Sequence, residues 1–131
     1  MISIDVTSRR QVEMIDVTGQ VREAIRRSAV QTGLAVIFTP HTTAAVTINE
    51  NADPDVVSDL VMELNKIVPF DDHYRHAEGN SAAHLKSSLV GASETVIVAG
   101  GFPVLGTWQG IYFCEFDGPR RRQLHIQVVG A

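Results

Sequence analysis

The sequence predicts an α+β fold with a largely antiparallel sheet. Two observations carry this prediction: strand-length apolar runs at both ends of the chain, and three segments whose apolar residues recur at helical spacing. The resulting order is ββαββααβββ, which is typical of α+β proteins. With 131 residues, of which 44% are hydrophobic, the chain is expected to form one compact domain over residues 1–131, with its helices packed on one side of the sheet.

The N-terminal part is predicted to form a hairpin followed by a helix. Residues 2–6 alternate apolar and polar side chains, and residues 12–17 form a second extended run after a polar turn. Thr18 is a candidate N-cap for an amphipathic helix that Gly33 ends. The apolar positions of this helix are Val21, Ala24, Ile25 and Ala29.

Two strands and the clearest helix come next. Residues 34–38 form a continuous apolar strand, and residues 45–48 resume an extended segment. Asp53 followed by Pro54 is a strong helix start, because Asp caps free N–H groups and Pro suits the first helical position. The apolar stripe of this helix continues to Ile67.

The C-terminal half is predicted to contain a short helix and three strands. The helix covers residues 81–89, and the strands cover residues 94–99, 108–116 and 123–129. Residues 100–106 form the glycine-rich loop between the first two of these strands.

Composition excludes several classes of protein. The 11 Lys and Arg against 15 Asp and Glu give a net charge of -4, which opposes bulk binding to nucleic acid or to an anionic membrane surface. No apolar run approaches the roughly 18 to 20 residues of a membrane span. A single cysteine, Cys114, and a start without an apolar export segment make the cytoplasm the expected location. Cys114 itself is expected to be a small buried hydrophobe.

Four histidines are candidates for a chemical site. His73, His76 and His84 lie close together along the chain, and His41 follows a strand end. Three imidazoles that leave a fourth position open are typical of catalytic zinc, although the spacing matches no standard zinc motif. The alternative is hydrogen bonding in loops and helix caps. Neighbouring carboxylates are able to ligate, to orient an imidazole or to act as a general base; they are Asp71, Asp72 and Glu78.

Two further segments are candidates for ligand binding. Residues 49–53 combine two amides with two carboxylates; Asp53 is explained as an N-cap, whereas Glu50 is not. Trp108, which follows the glycine-rich loop, either packs in the core or stacks on a planar ring. The basic run at 120–122 is either an anion clamp or the solvated start of a strand.

Several of these segments together resemble the motifs of one family. They occur in the same order over nearly the whole chain, and they are His41-Thr42-Thr43-Ala44, Asn49-Glu50-Asn51 with Asp53, Tyr74 to Asn80 with His84 to Ser88, Gly106 to Ile111, and Gly118-Pro119-Arg120. The chain is similar in these motifs to the YjbQ-like family, which is also labelled secondary thiamine-phosphate synthase.

The resemblance implies a small α+β subunit that assembles as a homotrimer, with a polar pocket near the subunit contacts. It implies His41, His76 and His84 as metal-binding or catalytic imidazoles and Glu50 and Glu78 as their acidic, catalytic partners. It also implies a set of residues for binding the substrate, which are Asn49, Lys86, Trp108, Gln109 and Arg120.

The labelled activity joins hydroxymethylpyrimidine diphosphate to a thiazole phosphate, so the implied partner is a phosphorylated small molecule. Such a reaction needs Mg²⁺ or arginine at the diphosphate and an aromatic surface at the ring, which Arg120, Lys86 and Trp108 are able to supply. The histidines fit zinc or a similar ion better, because imidazole is a softer ligand than oxygen. Two alternatives therefore stand: a metal-dependent hydrolase with Glu78 or Glu50 as base, and a trimeric metal- or anion-binding protein without turnover. The sequence assigns no role to His73.

Overall fold

The structure, a computed structural model, describes residues 1–131 and contains eight strands and three helices. The strands are β1 (Ile2–Thr7), β2 (Glu13–Asp16), β3 (Thr32–Phe38), β4 (Ala44–Glu50), β5 (Ser93–Ala99), β6 (Phe102–Pro103), β7 (Gln109–Glu115) and β8 (Arg121–Gly130), and the helices are α1 (Thr18–Ser28), α2 (Pro54–Ile67) and α3 (Ser81–Val90). The α+β class and the predicted order are confirmed, with β6 as the one additional element. None of the three helices is long and apolar enough to cross a membrane.

The short strand β6 forms because two glycines turn the chain. Gly100 and Gly101 have φ values of 59° and 79°, the left-handed region in which side chains are disfavoured. A two-residue turn of this kind suits the twist of a hairpin, so Ala99 pairs with Phe102. The segment that the sequence assigned to a loop therefore begins with a tight hairpin.

The strands form two antiparallel sheets. The larger sheet has the order β1-β8-β3-β5-β6, and the smaller has the order β2-β7-β4. The predicted hairpin of the first two strands is wrong, because β1 pairs with β8 while β2 pairs with β7. The chain crosses from one sheet to the other at Ser8, whose backbone N–H donates to the carbonyl of Arg120 at 2.9 Å.

The helices lie on both faces of the smaller sheet. Ile111 and Phe113 of β7 point into the main core, which the larger sheet and α1 complete. The alternate residues Tyr112, Cys114 and Phe116 point the other way and pack with side chains of α2 and α3. Because side chains alternate between the two faces of a strand, β7 packs against helices on both faces. This differs from the expectation that all helices lie on one side of the sheet. Cys114 is buried as expected, and burial raises its pKa to about 12.

The helix ends follow local capping chemistry. Asp53 is the N-cap of α2, as predicted, and its side chain accepts a hydrogen bond from the N–H of Asp55 at 2.9 Å. Thr18 is instead the first residue of α1, and its hydroxyl donates to Asp16 at 2.6 Å. The same helix ends before the predicted Gly33, since Ala29 turns into the left-handed region with φ 60°.

A buried ion pair connects the two sheets. Glu115 at the end of β7 is 0% exposed, and Arg122 near the start of β8 is 4% exposed. The Arg122 guanidinium donates to both carboxylate oxygens, and its Nη2 also donates to the hydroxyl of Thr43 at 2.8 Å. The Ser8 hydroxyl donates to the same carboxylate at 2.6 Å.

The ion pair sets the charge state of the carboxylate. Burial alone would raise the pKa of Glu115, but hydrogen bonds from Arg122, Ser8 and the N–H of Asp117 outweigh it and hold this pKa below its ordinary value. Glu115 therefore stabilises the fold above the unfolded-state pKa of about 4.3, and that contribution is lost as the pH falls through the lower folded-state pKa.

We expect Arg122→Met to lower the free energy of unfolding by about 3–5 kcal/mol, because it leaves the Glu115 carboxylate buried without a partner. The double variant Glu115→Leu, Arg122→Met should recover most of this loss, since an apolar pair needs no compensation. Urea unfolding at pH 7 measures both. The control is Arg26→Met, which removes the exposed pair with Glu23 and should change nothing measurable. Equal effects at Arg26 and Arg122 would contradict the role of burial.

Candidate functional site

The predicted site residues divide into two groups at opposite ends of β4. His41 lies three residues before the first residue of this strand, whereas Asn49 and Glu50 are its last two residues. A strand of this length spans about 20 Å at roughly 3.3 Å per residue. One subunit therefore does not bring its histidines and Glu50 into one pocket.

The first group lines a cleft of about 510 Å³ beside α3. His41 and His84 share this cleft, which we call the histidine cleft. Its lining contains hydroxyls and imidazoles but no carboxylate; the residues are Phe38, Thr39, Pro40, His41, Thr42, His84, Ser87, Ser88, Gly91 and Ala92. The lining thus offers hydrogen-bond donors without acidic side chains that would repel an anion.

A second cleft of about 390 Å³ adjoins the first at His84. It is lined by Tyr74, Arg75, His76, Ser81, His84 and Leu85, again without a carboxylate. The rings of His76 and His84 meet edge to face with centroids 5.5 Å apart. Glu78 contacts this pair from outside, since its Oε2 lies 3.8 Å from the Nε2 of His76 while its side chain is 74% exposed.

His41 is held in place by the backbone of β8. Its Nε2 accepts a hydrogen bond from the N–H of Gln123 at 2.9 Å. Burial, followed by the charge of Arg122, holds the pKa of His41 below its ordinary value. The lowered pKa favours the neutral form of the imidazole at pH 7.

Arg120 is fixed near the start of α3. Its Nε donates to the carbonyl of Asp117 at 2.9 Å, and its Nη2 lies 3.1 Å from the carboxylate of the same residue. The amide of Asn80, at the N-cap position of α3, donates to that carboxylate at 2.9 Å. The charge of Arg120 also contributes to the lowered pKa of His41.

Lys86 lies inside the subunit. Its Nζ is buried without a hydrogen-bond partner and lies 3.6 Å from the centroid of the Phe70 ring. Burial lowers the pKa of this amine to about 8. The residue predicted to bind substrate therefore directs its charge to an aromatic face within its own chain.

The second group lies at the other end of the smaller sheet, where Glu50 pairs with Gln109. The hydroxyl of Tyr112 donates to the carbonyl of Glu50 at 2.9 Å. The side chain of Gln109 accepts from the N–H of Gly106 at 2.8 Å, so it braces the turn before β7. Trp108 is 62% exposed and is not a core residue. Asn49 is exposed and accepts from the N–H of Glu50 at 2.7 Å.

Glu115 and Arg122 had no predicted role, yet their ion pair holds Thr43 in the segment that carries His41. A signal was present: Arg122 shares its strand face with Leu124 and Ile126, and Glu115 shares its own with Phe113. Period-two alternation places both charges on inward faces. The interpretation of residues 120–122 as one exposed basic run does not take account of this alternation, which buries Arg122.

The donors of one subunit do not form the expected three-histidine metal site. No three His, Cys, Asp or Glu side chains converge on a common point. The Nε2 of His41, one of its two nitrogens, already accepts a backbone hydrogen bond. The group that comes nearest to a ligand set is the pair of His76 and His84 with Glu78 beside it.

The fold and the clefts define a class of small two-sheet α+β proteins with an imidazole-lined cleft beside the third helix. The family model described as UPF0047 protein YjbQ-like matches residues 2–131, and the chain belongs to this family. The Bacillus subtilis UPF0047 protein YugU is 50% identical over 129 residues, which cover 98% of each chain. A UPF0047 protein of Methanocaldococcus jannaschii is 48% identical over 99% of this chain and 94% of its own.

Solved structures agree with the fold. A crystal structure of a YjbQ/UPF0047 family protein from Clostridium acetobutylicum has a TM-score of 0.97 and 48% identity, covering 98% of this chain and 100% of the other. A YbjQ-like protein of unknown function from Sulfolobus solfataricus has a TM-score of 0.95 and 32% identity, with coverage of 99% and 96%.

We expect Lys86→Met to raise the free energy of unfolding at pH 7, because the variant removes a buried charge without a hydrogen-bond partner. The folded-state pKa of about 8 lies below the unfolded-state value of about 10.4. The unfolded chain therefore binds more protons at Lys86 between these values, so the parent should gain stability relative to Lys86→Met as the pH rises from 8 to 10. The raised pKa of Cys114 acts in the opposite direction, but equally in both proteins.

The control Lys66→Met, which removes an exposed lysine of α2, should show the same gain relative to Lys86→Met as the parent does. Urea unfolding at pH 7, 8, 9 and 10 gives the three profiles. If the free energies of unfolding of the parent and Lys86→Met change in parallel with pH, the lowered pKa of Lys86 is contradicted.

Proposed function

We propose that this protein is a transferase that binds a diphosphate ester in the histidine cleft and joins its organic group to a second phosphorylated molecule. This is the secondary thiamine-phosphate synthase reaction that the resemblance implies. The cytoplasm is the proposed location, since the lone Cys114 suits a reducing compartment.

The observation that carries the proposal is the donor-rich, carboxylate-free lining of the two adjoining clefts. Imidazoles, hydroxyls and Arg75 line them, and the Asp117 carboxylate holds the cation of Arg120 near the start of α3. Anionic ligands are favoured where donors converge and no carboxylate belongs to the lining; the carboxylate of Glu78, 3.8 Å from His76, lies outside it. The volumes of about 510 Å³ and 390 Å³ suit two small molecules side by side.

In the proposed reaction, the thiazole nitrogen attacks the methylene carbon of the pyrimidine. The carbon–oxygen bond to the diphosphate breaks, and its electron pair leaves on the diphosphate oxygen. Charge therefore develops on the leaving group, where His84 and Arg120 stabilise it by donating hydrogen bonds. The Asp117 carboxylate holds the Arg120 guanidinium in position for this role.

The diphosphate would arrive as its magnesium complex, because Mg²⁺ is commonly bound through phosphate oxygens and few protein ligands. This assigns the divalent ion to the substrate. A zinc-dependent hydrolase would need the three histidines on one ion, and the hydrogen bond at Nε2 of His41 does not favour that set.

We propose further that the protein assembles as a homotrimer whose sites are shared between subunits. The end of the smaller sheet that holds Glu50 also carries Asp16, Asp53 and Asp55, whereas the cleft end is rich in arginine and histidine. Opposite charges at opposite ends favour a head-to-tail contact between copies, which closes into a ring. The neighbouring subunit would then supply Asn49, Glu50, Trp108 and Gln109 to the histidine cleft.

An unpartnered apolar sheet face supports assembly. Leu34 pairs with Ile97 on one side and Val129 on the other, and all three project away from the core. Phe102 extends this patch, and Ile97 alone is 61% exposed. Monomeric proteins rarely leave such a contiguous apolar surface in water.

The function is tested by thiamine phosphate formation from the two proposed substrates with Mg²⁺. We expect Arg120→Ala and His84→Ala each to lower kcat/KM by about 100- to 1000-fold, because each removes a donor to the leaving group. His73→Ala, which changes an exposed loop histidine, is the matched control and should retain activity. Full activity in both Arg120→Ala and His84→Ala would refute the proposed roles.

Shared sites are tested by mixing inactive variants. His84→Ala and Glu50→Ala are each expected to be inactive, yet a co-refolded mixture should regain about a quarter of the parent activity, because random assembly rebuilds that share of intact sites. If the mixture stays inactive although its subunits exchange, His84 and Glu50 do not act together in a site shared between subunits.

Assembly is tested by sedimentation analysis at micromolar concentration. We expect the parent to be a trimer and Ile97→Asp to dissociate to monomers, because the substitution buries an unpaired charge in the apolar contact. Met62→Asp, at an exposed position of α2, is the control and should remain trimeric. A trimeric Ile97→Asp variant would exclude this face as the contact.

A further inference from the structure

We infer that His41 acts in the cleft as a neutral imidazole with its proton on Nδ1, which donates a hydrogen bond to the phosphate group of the ligand. This deepens the proposed function and rests on it for the identity of the ligand. It assigns His41 a role as hydrogen-bond donor in place of the metal ligation that the sequence predicted.

The tautomer follows from the partner of Nε2. The N–H of Gln123 points at this nitrogen from 2.9 Å and is a donor only. Nε2 must therefore present its lone pair, and the proton of a neutral ring then lies on Nδ1. The same hydrogen bond occupies the lone pair that a metal ion would need.

The strand arrangement explains why a side chain accepts this hydrogen bond. The pairing of β3 with β8 ends where Phe38 faces His125, so Gln123, which lies two residues earlier in β8, is beyond the paired region. Beyond that point β8 lacks a backbone acceptor on this side, and the imidazole of His41 supplies one. The ring thus completes the hydrogen bonding of the sheet edge.

The segment that carries His41 is held by the buried ion pair. The Nη2 of Arg122 donates to the carbonyl of Thr43 at 3.2 Å and to its hydroxyl at 2.8 Å. Arg122 also directly precedes Gln123. It therefore lies next to the donor of the imidazole hydrogen bond, and its guanidinium holds the segment that carries the acceptor, His41. This anchoring keeps the ring oriented before ligand binds, which reduces the entropic cost of binding.

The surroundings favour the neutral ring. Burial and then the charge of Arg122 lower the pKa of His41; Glu115 opposes them, and Arg120 and His125 add smaller lowering effects. A neutral imidazole that donates one hydrogen bond needs no proton uptake when the ligand binds. Nδ1 makes no hydrogen bond to the protein and lies on a ring that lines the histidine cleft.

The tautomer is read directly from the ¹⁵N chemical shifts of imidazole nitrogens in histidine-labelled protein at pH 7.5. His41→Gln identifies the signal by its disappearance. We expect a protonated Nδ1 and an unprotonated, hydrogen-bonded Nε2. A proton on Nε2, or a doubly protonated ring, would overturn the inference without bearing on the proposed reaction.

Two conservative variants separate the nitrogens by function, with inorganic pyrophosphate and Mg²⁺ as the calorimetric probe. In His41→Gln the amide reaches the position of Nε2, so Gln123 keeps its acceptor while the donor at Nδ1 is lost. In His41→Asn the amide takes the position of Nδ1 and still donates, while the N–H of Gln123 loses its partner.

We expect His41→Gln to bind pyrophosphate about 10- to 100-fold more weakly with little change in Tm. His41→Asn should have a lower Tm but stay within about threefold of the parent affinity. His73→Asn is the control for both measurements. Weaker binding by Asn than by Gln would overturn the inference. A parent protein that does not bind pyrophosphate would overturn the donor role together with the proposed function, whereas the ¹⁵N shifts would still decide the tautomer.

Discussion

The ion pair between Glu115 and Arg122 is the constraint on which the rest of the structure depends. The two sheets have their own strands and their own antiparallel registers, and this pair is the polar contact that crosses the core between them. A buried pair of charges stabilises little compared with an apolar pair of equal size, but its directional hydrogen bonds allow few relative positions. Ser8 and Thr43 complete the same network, so the crossover after β1 and the segment before β4 are fixed together.

The cleft inherits its geometry from that network. His41 sits two residues before Thr43, and its imidazole accepts from the residue that follows Arg122. His84 and Arg120 are brought to the same region by α3 and by Asp117, which also lies two residues from Glu115. A core interaction thereby aligns groups from three separate segments. An uncharged core could be equally stable, yet it would not supply the oriented donors that hold these segments.

The two ends of the smaller sheet differ in chemistry because its strands run straight through the core. Side chains at the ends of β4 belong to different surfaces, about 20 Å apart, although they are close in sequence. Under the proposed function, a site that needs both ends would be completed by a neighbouring subunit. The apolar outer face of the larger sheet and the opposite charges of the two ends favour such an assembly. The proposed activity of this protein therefore depends on its oligomeric state.

The sequence by itself determined the local structure: the alternation of apolar residues identified the main strands, and Asp53 with Pro54 identified the start of α2, because these signals act within a few residues. It also supplied the motifs that resemble the family. The tertiary structure decided what depends on distant partners. It paired β1 with β8 instead of β2, buried Arg122 while leaving Arg120 at the surface, enclosed Lys86, and turned His41 toward the backbone of β8. Pairing and burial are settled by contacts between residues far apart in the chain, which local patterns do not encode.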